Sequence, residues 1–303
     1  MKILITGGTG LIGLAFINRF SEHEFTVLTR TALTAKQLLP SSVKLIDSLD
    51  NLQNLDAFDA VINLVGEPII NKRWTDKQKE IICQSRWVIT QQLVDLFANS
   101  QKPPQVFLSG SAIGVYGNRG DTALNESSSV TANDFPTSLC LRWEEIAKKA
   151  EPHTRVILLR TGIVLAANGG ALAKMILPFK LFLGGRLSHG NQYMSWIHYQ
   201  DHINAMHYLL AEDAISGAVN LVAPEAEKNI AFTQKLAKAL KRKAIFPMPK
   251  VVLQLILGES SCLLLDSQKI APQKLLEAGY RFSYPSLSLA FENLLAANAE
   301  KRN

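Results

Sequence analysis

Residues 1–20 read MKILITGGTGLIGLAFINRF. Lys2–Thr6 is a short run dominated by isoleucine and leucine. Gly7, Gly10 and Gly13 then recur every third residue, and Leu14-Ala15-Phe16-Ile17 continues as one side of a helix. The pattern predicts a strand, a tight glycine turn and a helix. Such a turn has a physical use. The first glycine bends the chain, the second removes the Cβ that would stand in the way of a phosphate, and the third lets the helix pack on the strand. The positive helix end then points at the anion. Gly7, Thr9, Gly10, Leu11, Ile12 and Gly13 are therefore expected to cradle the pyrophosphate of a dinucleotide.

Beyond this stretch, short β-rich runs alternate with amphipathic ones. Strands are expected at Lys2–Thr6, Phe25–Thr29, Val43–Ile46, Ala60–Leu64, Gln105–Ser109 and Val156–Arg160, with helices over Thr75–Asn99 and Thr137–Ala150. That alternation predicts an α/β fold, a Rossmann-type doubly wound parallel sheet with helices on both faces. After about residue 165 the rhythm loosens. "NGGALAKMILPFKLFLGG" (168–185) reads as a helix between glycine turns, and "NQYMSWIHYQDHINAMHYLL" (191–210) as a strand followed by a helix capped by Asp201. The expected organisation is a nucleotide-binding domain over 1–165, with contributions from about 200–222. A smaller α+β substrate lobe covers 166–303 and ends in a helical module over about 247–296.

Bulk properties narrow the function classes. The net charge of +6 is spread along the chain, and the densest basic cluster, Lys241-Arg242-Lys243, is three residues long, so no nucleic-acid partner is expected. The excess suits a phosphate-bearing ligand. Cys83, Cys140 and Cys262 are widely spaced, which fits neither a metal motif nor a disulfide framework. No metal is expected. The apolar run at the N-terminus is too short for a signal peptide, and Gly258-Glu259-Ser260-Ser261 breaks the greasy stretch 251–265. No membrane partner is therefore expected, the compartment is read as the cytoplasm, and nothing indicates the oligomeric state.

The end of the second strand chooses the dinucleotide. An acidic residue there would hydrogen-bond a ribose hydroxyl, but this chain has Thr29-Arg30-Thr31. A guanidinium pairs with a phosphate, so Arg30, beside Thr29, favours NADP(H) over NAD(H). Asn63, Leu64, Val65 and Gly66 close the fourth strand, where a doubly wound sheet places its ligand.

With "TGGTGLIG", "LTR", "NLVGEP", "LSGSAIGVYG", "VILLRTGIVL" and "SWIHYQDHINAMHYLL", the chain resembles the extended short-chain dehydrogenase/reductase family over nearly its whole length. Several blocks resemble an atypical, YfcH-like branch of epimerase-family proteins. They are "GEPIINKRWTDKQKEIICQSR", the Trp-Glu of "LRWEE", and the tail "LLLDSQKIAPQKLLEAGYRFSYPSL". The resemblance implies a Tyr-x-x-x-Lys pair on the helix after the fifth strand, where the phenol exchanges a proton with substrate and the lysine tunes it. In this chain Pro136 and Cys140 stand at those places, and Arg86 replaces the family's active-site asparagine. Arg86 is expected to return a positive charge beside the cofactor. Ser111 is the survivor of the catalytic set, and Tyr116 is a second candidate proton donor. Glu67, Lys72 and Arg73 form a polar cluster past the fourth strand. The arginine that clamps a nucleotide-sugar diphosphate is missing from the stretch 192–198, although Arg186 is near. Gln192, Trp196 and His198 are expected to line a pocket for a smaller ligand.

Two readings follow. One is an NADP-dependent oxidoreductase or epimerase acting on an unidentified small carbonyl or hydroxyl compound. The other is a catalytically weak or inactive NADP(H)-binding sensor or partner-binding protein.

Overall fold

The structure, a computed structural model, describes residues 1–131, 133–167 and 169–300. Asn168, which opens the "NGGALAK" stretch, and residues 301–303 at the end of the expected substrate lobe lie outside these. In chain order the first strands are β1 (Lys2–Thr6), β2 (Glu24–Leu28), β3 (Lys44–Ile46), β4 (Ala60–Asn63), β5 (Val106–Ala112), β6 (Ala123–Leu124) and β7 (Arg155–Thr161). They are followed by β8 (Ile163–Ala166), β9 (Tyr193–Met194), β10 (Trp196–His198), β11 (Gly217–Leu221), β12 (Glu227–Lys228) and β13 (Lys269–Ile270). The helices are α1 (Leu11–Arg19), α2 (Ala32–Leu38), α3 (Asp76–Ala98), α4 (Phe135–Lys148), α5 (Gly170–Lys180) and α6 (Tyr199–Ala211). The C-terminal ones are α7 (Asn229–Ala239), α8 (Lys250–Leu257), α9 (Cys262–Leu265), α10 (Gln273–Glu277) and α11 (Leu287–Glu300).

Seven strands form the central sheet in the order β11-β7-β5-β4-β1-β2-β3, and every pairing is parallel. This is the doubly wound arrangement expected from the alternation. A sheet covered on both faces needs apolar side chains at successive positions, and the period of two deals them to opposite sides. Ile3, Ile5, Ile62, Leu108, Ile157 and Leu159 pack with Phe16 and Ile17 of α1 and Met206 and Leu209 of α6. Leu4, Val61, Phe107, Val156 and Leu158 pack on the other side with Val94 and Phe97 of α3 and Ile146 of α4. The chain order reverses between β1 and β4, so the crevice outside their C-terminal ends is where such a sheet binds ligands.

Helix starts follow their side chains. Thr75 caps α3 by accepting from Gln78 N, and Asp134 caps α4 by accepting from Thr137 N, with Pro136 in the first turn. One expected cap is corrected. Asp201 lies inside the first turn of α6, and His198 is the capping residue, its Nδ1 accepting from Gln200 N. The Asp201 carboxylate faces inward and takes hydrogen bonds from Ser283 N (2.7 Å) and Tyr284 N (2.8 Å), fastening the C-terminal segment to α6.

The second core joins α5, β9, β10, α7 and α11 around Leu172, Phe179, Trp196, Phe232 and Phe291. The polypeptide then returns to the first half, where β13 pairs in parallel with β6 through Lys269↔Ala123 and Ile270↔Leu124.

Candidate active site

The three glycines of the turn do different work. Gly7 has φ +71°, and a Cβ on it would lie 2.7 Å from Leu64 O; a Cβ on Gly13 would lie 2.5 Å from Gly7 O. Both are glycine because the turn itself leaves no room. Gly10 has an ordinary φ of −75°, and an added Cβ would meet only Gly7 O, at 3.2 Å. Nothing within the fold demands glycine there. Gly10 is exposed and precedes α1, which has no side-chain cap and no acidic residue in its first turn. An uncapped helix end behind a missing Cβ is a cradle for an anion, and its donors fit a pyrophosphate.

At the end of β2, Thr29 is nearly buried and its Oγ1 accepts from Thr31 N (3.3 Å), while Arg30 is exposed. At the end of β4, Asn63 is fully buried. Its Oδ1 accepts from Thr6 Oγ1 (2.6 Å) and its Nδ2 donates to Thr90 Oγ1 (2.8 Å). The side chain therefore ties β1, β4 and α3 together, and Leu64, Val65 and the exposed Gly66 are left to border the crevice. Arg86 leans over Gly66, whose Cβ would lie 2.7 Å from the guanidinium. Its NH1 donates to Ile82 O (3.0 Å), its NH2 to Glu67 O (3.1 Å), and it stands 5.3 Å from the Trp143 ring. Burial pulls its pKa down, against the pull of Cys140, Cys83 and Glu67. Arg86 thus shapes the loop after β4 and brings its charge to the crevice edge. Glu67 and Lys72 pair at 3.3 Å, and Arg73 turns toward Gly258 of the C-terminal module.

Ser111, near the end of β5, belongs to a buried polar chain. Its Oγ donates to Glu144 Oε1 (2.7 Å), and Glu144 receives two further bonds from Arg160 Nε and NH2, both 2.8 Å. Arg160 NH1 donates to the Tyr116 hydroxyl (2.9 Å), which donates to Asn220 Oδ1 (2.8 Å). Burial works against the Arg160 charge, but the hydrogen bonds and charge of Glu144 outweigh it, and its pKa rises. Tyr116 is 0% exposed, and burial lifts its phenol above the ordinary value in spite of Arg160. With its proton and its acceptor face both engaged, Tyr116 is a structural link rather than an accessible proton donor. Ser111 spends its proton on Glu144 and keeps oxygen lone pairs. Sequence reasoning gave Glu144, Arg160 and Asn220 no role in the site, although Glu144 lies in one of the blocks that carry the resemblance. The available signal was the charge in "VILLRTG", since an arginine inside a buried strand requires a partner.

The helix that follows shows what has become of the Tyr-x-x-x-Lys positions. Pro136 is buried near Gly114, whose Cβ would lie 3.2 Å from it. Cys140 is buried, and burial pushes its thiol up to about 12. Other expected pocket residues are core. Trp196 and His198 are fully buried. His198 shares a hydrogen bond with Asn293 (3.2 Å), stacks on Tyr284 at 3.8 Å, and is lowered by burial to about 4. Gln192 Nε2 donates to Leu187 O and Leu264 O. Arg186 NH1 donates to His189 O in its own turn.

A cleft of about 320 Å³ opens instead on the C-terminal module, between Lys250, Gln254, Glu259, Cys262 and Asp266. Burial, and then the charge of Asp134 at the cap of α4, raise the Asp266 carboxyl to about 6. The segment after it is fixed to the loop beyond β5. Ser267 N donates to Asn118 Oδ1 (3.1 Å), and Gln268 Nε2 donates to Ile113 O (3.0 Å) and Gly117 O (3.1 Å).

The glycine turn, the parallel order and the long crossover α3 agree with a sequence profile that matches residues 3–222, that of the NAD dependent epimerase/dehydratase family. The chain belongs to this family. A second profile, the domain of unknown function DUF1731, matches residues 248–294, the module that carries the cleft. An epimerase family protein of Staphylococcus haemolyticus is 36% identical over 301 residues, covering 98% of this chain and 99% of its own. One from Staphylococcus aureus is 37% identical over 297 residues, 97% of this chain and 99% of its own. Among solved structures, human epimerase family protein SDR39U1 (isoform 2) with NADPH superposes with a TM-score of 0.89 at 31% identity, covering 98% of this chain and 99% of that one. A nucleoside-diphosphate sugar epimerase from Corynebacterium glutamicum gives 0.77 at 28% identity, covering 100% of this chain and 60% of that one. The epimerase-family chain is therefore of the atypical extended short-chain dehydrogenase/reductase kind. Among the described residues, no helix is long and apolar enough to cross a membrane.

Proposed function

We propose that this protein binds NADP(H) and acts as an oxidoreductase or epimerase on a small carbonyl or hydroxyl compound, without the family's tyrosine. The observation that carries the reading is the open, uncapped start of α1 behind Gly10, with exposed Arg30 where a ribose-binding acid would otherwise stand. Gly7 and Gly13 shape the turn, the amides of Leu11 and Ile12 face the phosphates, and Arg30 takes the 2′-phosphate. The solved human relative contains NADPH, in keeping with this choice. The bound dinucleotide supplies hydride chemistry; the chain supplies orientation and protons. Ser111, its proton held by Glu144, accepts a hydrogen bond from a substrate hydroxyl, so the substrate proton can pass to Ser111 Oγ as the Ser111 proton passes to the Glu144 carboxylate. The cleft near the α4 cap is the room for substrate, and Asp266, poised at about 6, is the candidate acid.

Pro136 and Cys140 favour a second reading, an NADP(H)-binding sensor without turnover. Titration of NADPH and NADH into wild type and Arg30→Ala tests the cofactor, and a carbonyl panel with wild type, Ser111→Ala and Asp266→Asn tests the chemistry. Preferential NADPH binding, lost in Arg30→Ala, is expected, worth ~1.5–3 kcal/mol for a charged hydrogen-bonded pair. Equal affinity for both cofactors removes Arg30 from the site. NADPH binding with no turnover on any carbonyl favours the sensor.

A further inference from the structure

The basic residues noted as scattered in the sequence gather in space on the second lobe. Residues 170–190 and 238–257 together carry eight Lys and Arg and no Asp or Glu. Backbone hydrogen bonds hold the two segments side by side: Phe246 N to Gly184 O (3.2 Å), Met248 N to Arg186 O (2.8 Å) and Ser188 N to Met248 O (2.8 Å). The same segments leave large apolar side chains in the open. Phe182 is 66% exposed, Leu183 58%, Ile245 62%, Val251 64% and Leu255 70%. On α8, Leu253 is buried while Val251, Leu255 and Ile256 form an outward apolar face. A monomeric protein rarely leaves so many large apolar groups together without a partner.

Two backbone features show that the exposure is built in. α5 ends with Phe182 N donating to Phe179 O and Leu183 N to Pro178 O, and α7 ends with Lys241 N donating to Lys238 O and Arg242 N to Ala237 O. In this cap the residue past the helix end takes a left-handed conformation, and glycine is its ordinary occupant. Here the two places hold Phe182 (φ 60°) and Lys241 (φ 53°), two of the three non-glycine residues with positive φ among those described. The Arg242 guanidinium lies 4.9 Å from the Phe182 ring. Two left-handed caps thus hold the exposed Phe182 ring against Arg242, the neighbour of Lys241, at some cost to the fold.

We propose that this face docks the protein on an anionic bilayer surface, with the apolar tips seated among the head groups and the cations paired with lipid phosphates. Charge selects this occupant. A second copy seated face to face across a two-fold axis would bring like-charged segments, eight cations and no acid on each copy, together, which is repulsive, whereas anionic lipid neutralises them. The expectation of no membrane partner rested on the lack of a span, and surface docking needs none.

Flotation of the full-length protein with vesicles decides the matter. Phosphatidylcholine vesicles containing about one-third phosphatidylglycerol are compared with pure phosphatidylcholine, at low and high salt. Binding at least tenfold tighter to the anionic vesicles, weakened by salt, is expected. Phe182→Gly and Lys241→Gly relieve the left-handed strain, so each variant should melt no lower than wild type while losing vesicle binding severalfold; Leu255→Gln should lose it as well. Absence of binding to anionic vesicles overturns the proposal. So does binding that all three variants retain in full, or self-association by sedimentation equilibrium that Leu255→Gln disperses, which would assign the face to a second copy.

Discussion

Replacing Gly10 and Gly13 by alanine, one at a time, separates ligand binding from folding at the glycine turn. At Gly13 the new methyl would sit 2.5 Å from Gly7 O and 2.7 Å from Gly8 Cα, both backbone atoms of a turn that has no slack. The turn must open by several tenths of an ångström, and overpacking of this kind costs ~1–3 kcal/mol. At Gly10 the backbone suits any residue, and the only neighbour within 4 Å is Gly7 O at 3.2 Å. Reduced freedom of the unfolded chain favours alanine there by ~0.4–1 kcal/mol, and the tight contact offsets part of that. Gly10→Ala should therefore melt within a few degrees of wild type. Under the proposed function, however, the methyl stands where a cofactor phosphate would approach the amides of α1. Losing that approach is expected to weaken NADPH by at least thirtyfold, roughly 2 kcal/mol. Thermal melts and calorimetric titration of NADPH read the two effects separately. A folded Gly10→Ala protein with wild-type NADPH affinity would refute the assignment of the turn to the pyrophosphate. A Gly13→Ala protein as stable as wild type would show that the packing argument is wrong.

The buried chain around Arg160 gives a second expectation. Arg160→Met leaves Glu144, 3% exposed, without its partner and should cost ~3–5 kcal/mol in urea unfolding, and adding Glu144→Gln should recover part of the loss. His198 and His202 are buried neutral, held by burial at about 4 and about 3. Their folded values lie below the unfolded value near 6.5, so the stability they secure is complete above that pH. It is lost as pH falls from about 6.5 toward 4, by several kcal/mol at most. Asp266, raised to about 6, acts in the opposite sense, favouring the fold below its own titration and losing that contribution as pH rises from about 4 to 6. Melting temperature across pH 4–8 measures the balance, and a flat profile would count against neutral buried histidines. Cys140, pushed up to about 12, should resist alkylation at pH 8 until the protein unfolds, and Cys140→Ser should leave NADPH affinity unchanged.

What the sequence disclosed follows from how local each feature is. The turn at Gly7–Gly13 is written in consecutive residues, and the β-rich runs declare themselves by continuous apolar character, because both faces of the sheet are covered. Strand ends moved by one residue at most places and by three at Ala112, where β5 runs on beside β7. The site beyond the turn is not local. Ser111 meets Glu144 across 33 residues and Tyr116 meets Asn220 across 104. No spacing rule links such pairs, and only the requirement that a buried charge find a partner hints at them. His198 and Gln192 were misplaced for the same reason. Polar residues beside an aromatic one look like a pocket wall, yet the fold uses them to satisfy Asn293 and two carbonyl groups inside a core.

The loss of the tyrosine and lysine is explained by the same geometry. With Pro136 in the first turn of α4 and Cys140 sealed beneath it, that helix no longer presents an acid to the crevice. Its buried charge, Glu144, is turned inward to Arg160 and accepts from the Ser111 hydroxyl. Under the proposed function, a serine between a carboxylate and a substrate oxygen is a relay: it passes the proton inward when an alcohol is oxidised and returns it along the same path when the carbonyl is reduced. The other group the proposed function offers for that proton is Asp266, in the cleft by the α4 cap, whose carboxyl burial raises to about 6. If the Ser111 relay carries that proton, Ser111→Ala should slow alcohol oxidation and reduction of the matching carbonyl by similar factors while Asp266→Asn leaves both near wild type; if Asp266 carries it, Asp266→Asn should slow both and flatten the pH profile between 5 and 7. Losses of similar size in the two variants, with the pH profile unchanged in both, would leave the two residues as parts of one pocket wall, with no separate roles in moving the proton.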